Sequence, residues 1–301
     1  HSVRCRMTAL LSLAACTRSR PAALERLIDS LGEQDWPEGA RLLVVDNDPH
    51  GSARTVVDGL GSFPVATDYV IEPRPGYATV RNRALDAAGS SLAVCFIDDD
   101  AVVPPDWLRQ MNHARVSHPT SIIRSRYAHV PTLPKGRRDT VAAVKELGDL
   151  SARQPAGTSG LLLPLDVLGQ LRFDEYYDRS GGEDMDLLLR LHLAGVPEVV
   201  ADTVVLEEQR VAPLPLAAQL RIARWNGRIA TIIRIRAGVP TVRSRVQALV
   251  DAGAALAGAL PRFVLGRREG AKGYATLAAG RWAMATAPRT APAILGQRPL
   301  V

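Results

Sequence analysis

The sequence predicts an α/β domain built on a parallel sheet covered by helices on both faces, followed by a basic helical appendage. Three observations carry this. Short apolar runs recur through the first two thirds of the 301 residues, and segments with helical periodicity separate them. The runs are apolar on both faces, which suits strands buried from both sides rather than strands with one wet face. Beyond Pro213 the composition turns to Ala, Arg and Leu at helical spacing.

Residues 10–15 form the first apolar run. Pro21 is suited to the first turn of a helix, and Leu24, Leu27, Ile28 and Leu31 then recur at helical spacing. Residues 42–45 are a second run, ending on Asp46, and residues 69–71 a third. Val80, Ala84, Leu85 and Ala88 mark a second amphipathic helix, and residues 92–97 form a fourth run, ending on Asp98. Ligands of such sheets bind at the carboxyl ends of the strands, where Asp46 and Asp98 lie. After Trp107 the pattern loosens. Residues 118–150, with Pro131, Pro134 and the cluster Lys135, Gly136, Arg137 and Arg138, read as irregular. Residues 157–160 lead into the apolar run 161–163. A loop rich in aromatics and acids, 173–180, precedes Gly181, Gly182, Glu183 and Asp184. A helix follows, with Leu187, Leu188, Leu191 and Ala194 on its buried side and Gly195 as its stop. Residues 199–206 read as a last strand. The expected organisation is a catalytic domain over 7–208 and a helical tail over 209–301.

At 47% hydrophobic and 23% charged residues the chain has the profile of a soluble globular protein, long enough for a large core. Cys5, Cys16 and Cys95 form no disulfide framework, and Cys95 reads as a small core residue. Arg4 and Arg6 before residues 7–16 resemble a short signal peptide, with Leu13, Ala14, Ala15 and Cys16 like a lipoprotein cleavage box. A buried strand over 9–15 is preferred, because the Pro21 helix follows it at once. Residues before Met7 read as added or upstream sequence. No run of about 18 uninterrupted apolar residues exists, so no membrane span is expected. Charge is uneven. From residue 209 onward there are 15 Lys+Arg and two acids, Asp251 and Glu269, a net +13 that leaves −7 on residues 1–208. Such a tail suits an anionic membrane surface or a phosphate-bearing acceptor. Arg221, Arg224, Arg228, Arg234 and Arg236, with Trp225, Ile232 and Ile233 as apolar partners, are the residues expected to lie on a bilayer. An acidic first domain without a nucleic-acid motif argues against a DNA or RNA partner.

The sharpest local feature is Asp98, Asp99 and Asp100 directly after a buried strand. Three carboxylates there repel one another unless a cation is present. In an extended chain Asp98 and Asp100 point the same way. Hard divalent ions take such oxygen ligands and share their shell with phosphates, so a nucleotide diphosphate bridged by Mg²⁺ or Mn²⁺ fits. An acidic turn that caps the next helix explains the same residues. At Gly181–Asp184 two glycines permit tight backbone and two acids open a helix, whose N-terminus favours negative charge of the kind a general base carries. Ordinary helix-start preference explains it as well. Thr17, Asp46 and Asp48 follow two adjacent strand ends, a place suited to gripping a nucleoside, and a helix-cap role explains Thr17 alone as well. Arg81 or Arg83, after the Pro- and Gly-shaped loop at 73–77, is placed to reach a diphosphate.

These features, in this order, resemble glycosyltransferase family 2, the large family with the GT-A fold. The segments that carry the resemblance are 15–21, 44–48, 76–82, 96–100 and 182–186, within about residues 8–208. Residues 46–53 and 72–76 are similar to bacterial enzymes that extend exopolysaccharides, such as the succinoglycan glucosyltransferases. The resemblance implies a mixed, mostly parallel sheet and an inverting transfer from a nucleotide-diphosphate sugar, with a uridine diphosphate donor favoured, while the wrong spacing of a processive-synthase box at 219–225 leads to the expectation of single-sugar transfer. It implies that Thr17 and Asp46 contact the base, Arg81 the base or diphosphate, and Asp98 the donor, with Asp100 and Asp98 on Mn²⁺ or Mg²⁺. Asp99 joins the donor group but is least expected to touch the metal. Asp184 is the implied base, with Glu183 beside it. Acceptors of the family are saccharides, lipid-linked glycans or small molecules, and the expected place of work is the cytoplasm or the inner face of the plasma membrane, with a homodimer open. Two departures stand out. Where many members have a metal-binding His, this chain has Glu207 and Glu208. Residues 219–225 resemble the Gln-X-X-Arg-Trp box of processive synthases, but at the wrong spacing. A nucleotidyltransferase and a non-catalytic saccharide-binding domain are the rival readings. The first lacks its glycine-rich loop at residues 17–21, and the intact acidic motifs argue against the second.

Overall fold

The computed structural model describes residues 10–151, 153, 157–208, 215–238, 242–264 and 268–286. Cys5 and the residues flanking Met7 lie outside them. The elements run β1 (Leu11–Thr17), α1 (Pro21–Gly32), β2 (Ala40–Asp46), α2 (Arg54–Asp58), β3 (Thr67–Ile71), α3 (Tyr77–Ala88), β4 (Ala93–Asp98), β5 (Ala101–Val102), α4 (Trp107–Ser117), β6 (Ile122–Val130), α5 (Gly136–Leu147), β7 (Leu161–Pro164), α6 (Leu165–Leu168), a 3-10 turn (Glu175–Tyr177), α7 (Glu183–Leu193), β8 (Glu198–Glu208), α8 (Leu216–Arg236), α9 (Val242–Val264) and α10 (Arg268–Thr286). They fall into two compact units, His1–Glu175 with Leu191–Val211, and Tyr176–Arg190 with Ala212–Val301.

The first unit is a mixed eight-stranded sheet in the order β3-β2-β1-β4-β7-β6-β8-β5. β1, β2, β3 and β4 pair in parallel, and β7 turns the sheet by pairing antiparallel with β4 and β6. β1 and β4 are buried along nearly their whole length, as their two-faced apolar pattern requires. Pro21 opens α1, whose Leu24, Leu27, Ile28 and Leu31 pack into the main core with Leu13, Leu42, Cys95 and Trp107. α3 buries Val80, Ala84, Leu85 and Ala88, as its spacing predicts. Residues 11–15 are therefore the start of a central, covered strand, with Leu10 exposed just before it.

Residues 118–150 are regular, which corrects the expectation of an irregular segment. β6 is nine residues long and α5 is twelve. Arginines within the strand hide its apolar alternation. Arg124 reaches Glu198 at 3.2 Å and Arg126 donates to the carbonyl of Ala201 at 2.9 Å, so both charges are neutralised or bonded beside β8. α7 buries Leu187, Leu188 and Leu191 and the chain turns at Gly195, but Ala194 is exposed.

In the second unit α10 packs on both α8 and α9. α8 and α10 approach so closely that a Cβ on Gly227 would collide with the carbonyl oxygen of Gly280. Ile229, Ile232 and Ile233 of α8 are buried in a cluster with Tyr177, and the indole of Trp225 donates to the carbonyl of Ser180 at 3.2 Å. This corrects the expectation that Ile232 and Ile233 form a membrane-facing surface, because their apolar area is spent inside the unit, where Trp225 is partly buried beside them. Among the described residues no helix is long and apolar enough to cross a membrane.

Candidate functional site

Strand register assembles the site in the first unit. The parallel strands end together, with Thr17 opposite Asp46 and Cys16 opposite Asp98. The two-residue β5 then pairs with β8 and sets Ala101 opposite Glu207. Four segments far apart in sequence thus share one sheet edge.

At the end of β4 the three carboxylates part company. Asp99 is buried, accepting from the hydroxyl of Thr17 at 2.7 Å and from Arg20 Nη1 at 3.1 Å. Burial pushes its pKa up, against the pull of those two partners. Asp98 and Asp100 stay open, with side chains 39% and 52% exposed. β4 ends at Asp98 and the chain turns at Asp99 and Asp100, so a turn rather than extended-strand alternation separates the three side chains. Arg81, itself buried, lies 3.4 Å from Asp98, and Arg20 Nη1 lies 3.0 Å from Asp100. Glu207 is raised to about 7, first by its own burial and then by the charges of Asp100 and Asp98. His129 Nδ1 lies 4.0 Å from its carboxylate.

At the end of β2 the arrangement is closed. Asp46 is fully buried and accepts from the backbone of Asp48 at 3.0 Å and of Ala53 at 2.7 Å, from Ser52 Oγ at 3.2 Å and from the phenol of Tyr69 at 2.8 Å. It shapes loop 47–53 from within. Asp48 accepts from Ser19 Oγ at 2.7 Å, the main reason its pKa is lowered. Asn47 ties this loop to the next one. Its amide donates to the carbonyls of Glu72 and Arg74 at 2.9 and 2.7 Å, and its oxygen accepts from Gly76 at 3.0 Å.

The chemistry of the open acids suits a hard divalent ion. Among the described residues no three His, Cys, Asp or Glu side chains gather into a metal cage. Mg²⁺ and Mn²⁺ bound beside phosphates need only one or two protein carboxylates, the rest of the shell being phosphate oxygen and water. Asp98 and Asp100 are the two exposed carboxylates at this strand end.

Glu183 and Asp184 belong to the second unit. Gly182 has φ +103°, and a Cβ there would stand 2.6 Å from Ile229, so only glycine lets the chain enter α7 on this path. Glu183 and Asp186 are buried, and Asp186 is paired with Arg190 at 2.8 Å. Asp184 is partly exposed and accepts from the Met185 backbone at 2.8 Å. It opens onto a cavity of about 750 Å³ whose walls include Met185, Trp225, Asn226, Arg281 and Met284. Tyr177 is fully buried, and Tyr176 lies beneath the guanidinium of Arg236 at 4.0 Å, so the two rings pack in this unit.

Sequence reasoning missed Arg20 and Asn47. An arginine just before a helix-opening proline reads as surface, and its partners lie 79 and 80 positions away. Glu207 was visible only as the residue standing where the related family often has His. Its coupling to Asp98 and Asp100 depends on β5, which is too short for any periodicity to reveal.

Residues 12–149 match the family described as Glycosyl transferase family 2. The chain is 35% identical over 202 residues to Succinoglycan biosynthesis protein ExoM of Rhizobium meliloti, a match covering 62% of each protein. The chain thus spans less than two thirds of that curated relative's length. Among solved structures it is similar to the mannosyltransferase PcManGT from Pyrobaculum calidifontis in complex with GDP-Man and Mn²⁺, with a TM-score of 0.59 at 18% identity over 93% of this chain and 87% of that one. It is also similar to S. aureus TarS 1-349 in complex with UDP-GlcNAc, with a TM-score of 0.52 at 14% identity over 88% and 90%. At these identities the likeness shows the fold, which is of the GT-A type.

Proposed function

From the premise that residues 12–149 carry a glycosyltransferase family 2 domain, we propose that this protein transfers one sugar, with inversion, from a nucleotide-diphosphate sugar to an acceptor hydroxyl. The observation that carries the reading is the divergence at the end of β4, where Asp99 is held inward and Asp98 and Asp100 face outward beside two arginines.

The donor diphosphate lies against Asp98 and Asp100, with Arg81 and Arg20 offering guanidinium hydrogen bonds to its oxygens. The nucleoside lies along loop 47–53, which Asp46 holds in shape and Asp48 and Thr17 border. Asp98 and Asp100 would hold Mn²⁺ or Mg²⁺, which when bound supplies charge neutralisation on the leaving diphosphate. Asp184 accepts the proton of the acceptor hydroxyl as its oxygen bonds to the anomeric carbon. The bond from that carbon to the diphosphate oxygen breaks, and its electron pair leaves with the nucleotide. Asp184 is supported in this role by its place in the motif order and by the cavity it faces, which suits a saccharide, a lipid-linked glycan or a small molecule. A uridine diphosphate sugar is the favoured donor.

Incubation with a panel of uridine, guanosine and thymidine diphosphate sugars, Mn²⁺ and a set of acceptors tests this. One donor should release nucleoside diphosphate with transfer of its sugar. Asp184→Asn should lower transfer by about 10²–10⁴-fold while nucleotide binding persists. Release of pyrophosphate from a sugar phosphate and a nucleoside triphosphate would establish nucleotidyl transfer instead. Transfer at the wild-type rate by Asp184→Asn would place the base elsewhere.

A further inference from the structure

Among its described side chains, α9 is built inside out. Ala248, Ala252 and Ala255 are buried, at 1, 3 and 3% exposure, while Val246, Leu249, Val250 and Leu256 stand outward at 58, 45, 60 and 58%. The outward residues recur at spacings of three, four and six, which keeps them within one stripe of about 120° on the helix surface. An ordinary amphipathic helix turns its larger apolar side chains inward. Here alanines meet α10, and the larger side chains are left for something outside the unit.

We propose that this stripe of α9 is a membrane-docking face that lies in the surface of an anionic bilayer. Charge selects this occupant. Residues 209–301 carry 15 Lys+Arg against two acids, and one of those acids, Asp251, is already matched by Arg281 at 3.6 Å. A second copy pressed against the same face would bring together two tails of net +13, whereas anionic headgroups attract the tail and release its counterions. α9 is 23 residues long, but among the described residues no helix is apolar enough to cross a bilayer, so the helix rests on the surface with its Val and Leu side chains in the headgroup–acyl boundary. α8 cannot take this part, since Ile229, Ile232 and Ile233 are buried. The proposal does not depend on the donor chemistry of the first unit.

Flotation of the full chain with vesicles of phosphatidylcholine, with and without one third phosphatidylglycerol, tests it. The protein should float with the anionic vesicles only, and less at high salt. Leu249→Glu and Val250→Glu should each reduce the bound fraction by about tenfold, because each removes an inserted side chain and adds a repelled charge. Both positions are exposed, and an unchanged circular dichroism melt verifies that the fold survives. Equal flotation of wild type and variants would overturn the proposal, as would absence of binding to anionic vesicles. So would a wild-type dimer in sedimentation velocity that Leu249→Glu dissolves without change in flotation, since the stripe would then be covered by a second copy.

Discussion

β2 and β4 end alike in sequence, each an apolar run closing on an aspartate, yet the two ends do different work. Asp46 is fully buried with four hydrogen-bond donors around its carboxylate. Asp98 and Asp100 keep open faces and arginine neighbours. The first is an architectural acid whose partners are backbone and hydroxyl groups of loop 47–53 and the phenol of Tyr69 on β3. The second is a pair of partly exposed acids beside arginines, which we propose as the donor-binding pair. An aspartate at a strand end is thus only a location, and what surrounds its oxygens decides whether it builds the site or serves it.

The strongest way to break this contrast is to remove Asp46. Asp46→Ala should destabilise the protein by roughly 2–4 kcal/mol, because buried donors lose a charged acceptor. Thermal melting without ligand should show the loss. A melt like that of wild type would mean that loop 47–53 holds itself and that the closed end is not closed by Asp46.

A smaller effect sharpens the open end. Glu207 has its folded pKa raised to about 7 from 4.5. The native state then binds more protons than the unfolded state between those values, so this residue's contribution to stability falls as pH rises through that window. With a chelator present, Glu207→Gln should flatten that part of the stability–pH profile. Identical profiles for wild type and variant would show that neither burial nor the charges of Asp98 and Asp100 raise Glu207.

The fold was legible where one force dominates. β1, β2 and β4 and helices α1 and α3 are set by burial on two faces or one, and their spacing shows it. β6 was not, because Arg124 and Arg126 give a strand the look of a polar loop until Glu198 and the Ala201 carbonyl arrive from 70 or more positions away. The candidate donor acids were legible as a cluster, but the exposed pair Asp98 and Asp100 arises from a turn at residues 99–100, beyond the end of β4, and not from the extended chain the sequence suggested. Arg20 and Glu207 were not legible as partners of that cluster, since only β-strand pairing brings them there. α9 misleads in the opposite direction: its apolar spacing is evident, but which face is buried depends on alanines fitting against α10.

The central claim is that Asp98 and Asp100 bind the diphosphate of a nucleotide donor together with a divalent cation. Calorimetric titration of uridine, guanosine and thymidine diphosphates, each with Mn²⁺ and again with chelator, tests it most directly on wild type and Asp100→Ala. Wild type should bind at least one nucleotide only when Mn²⁺ is present, and Asp100→Ala should lose that binding while melting like wild type. Nucleotide binding that is equal with chelator, or unchanged in Asp100→Ala, would contradict the account.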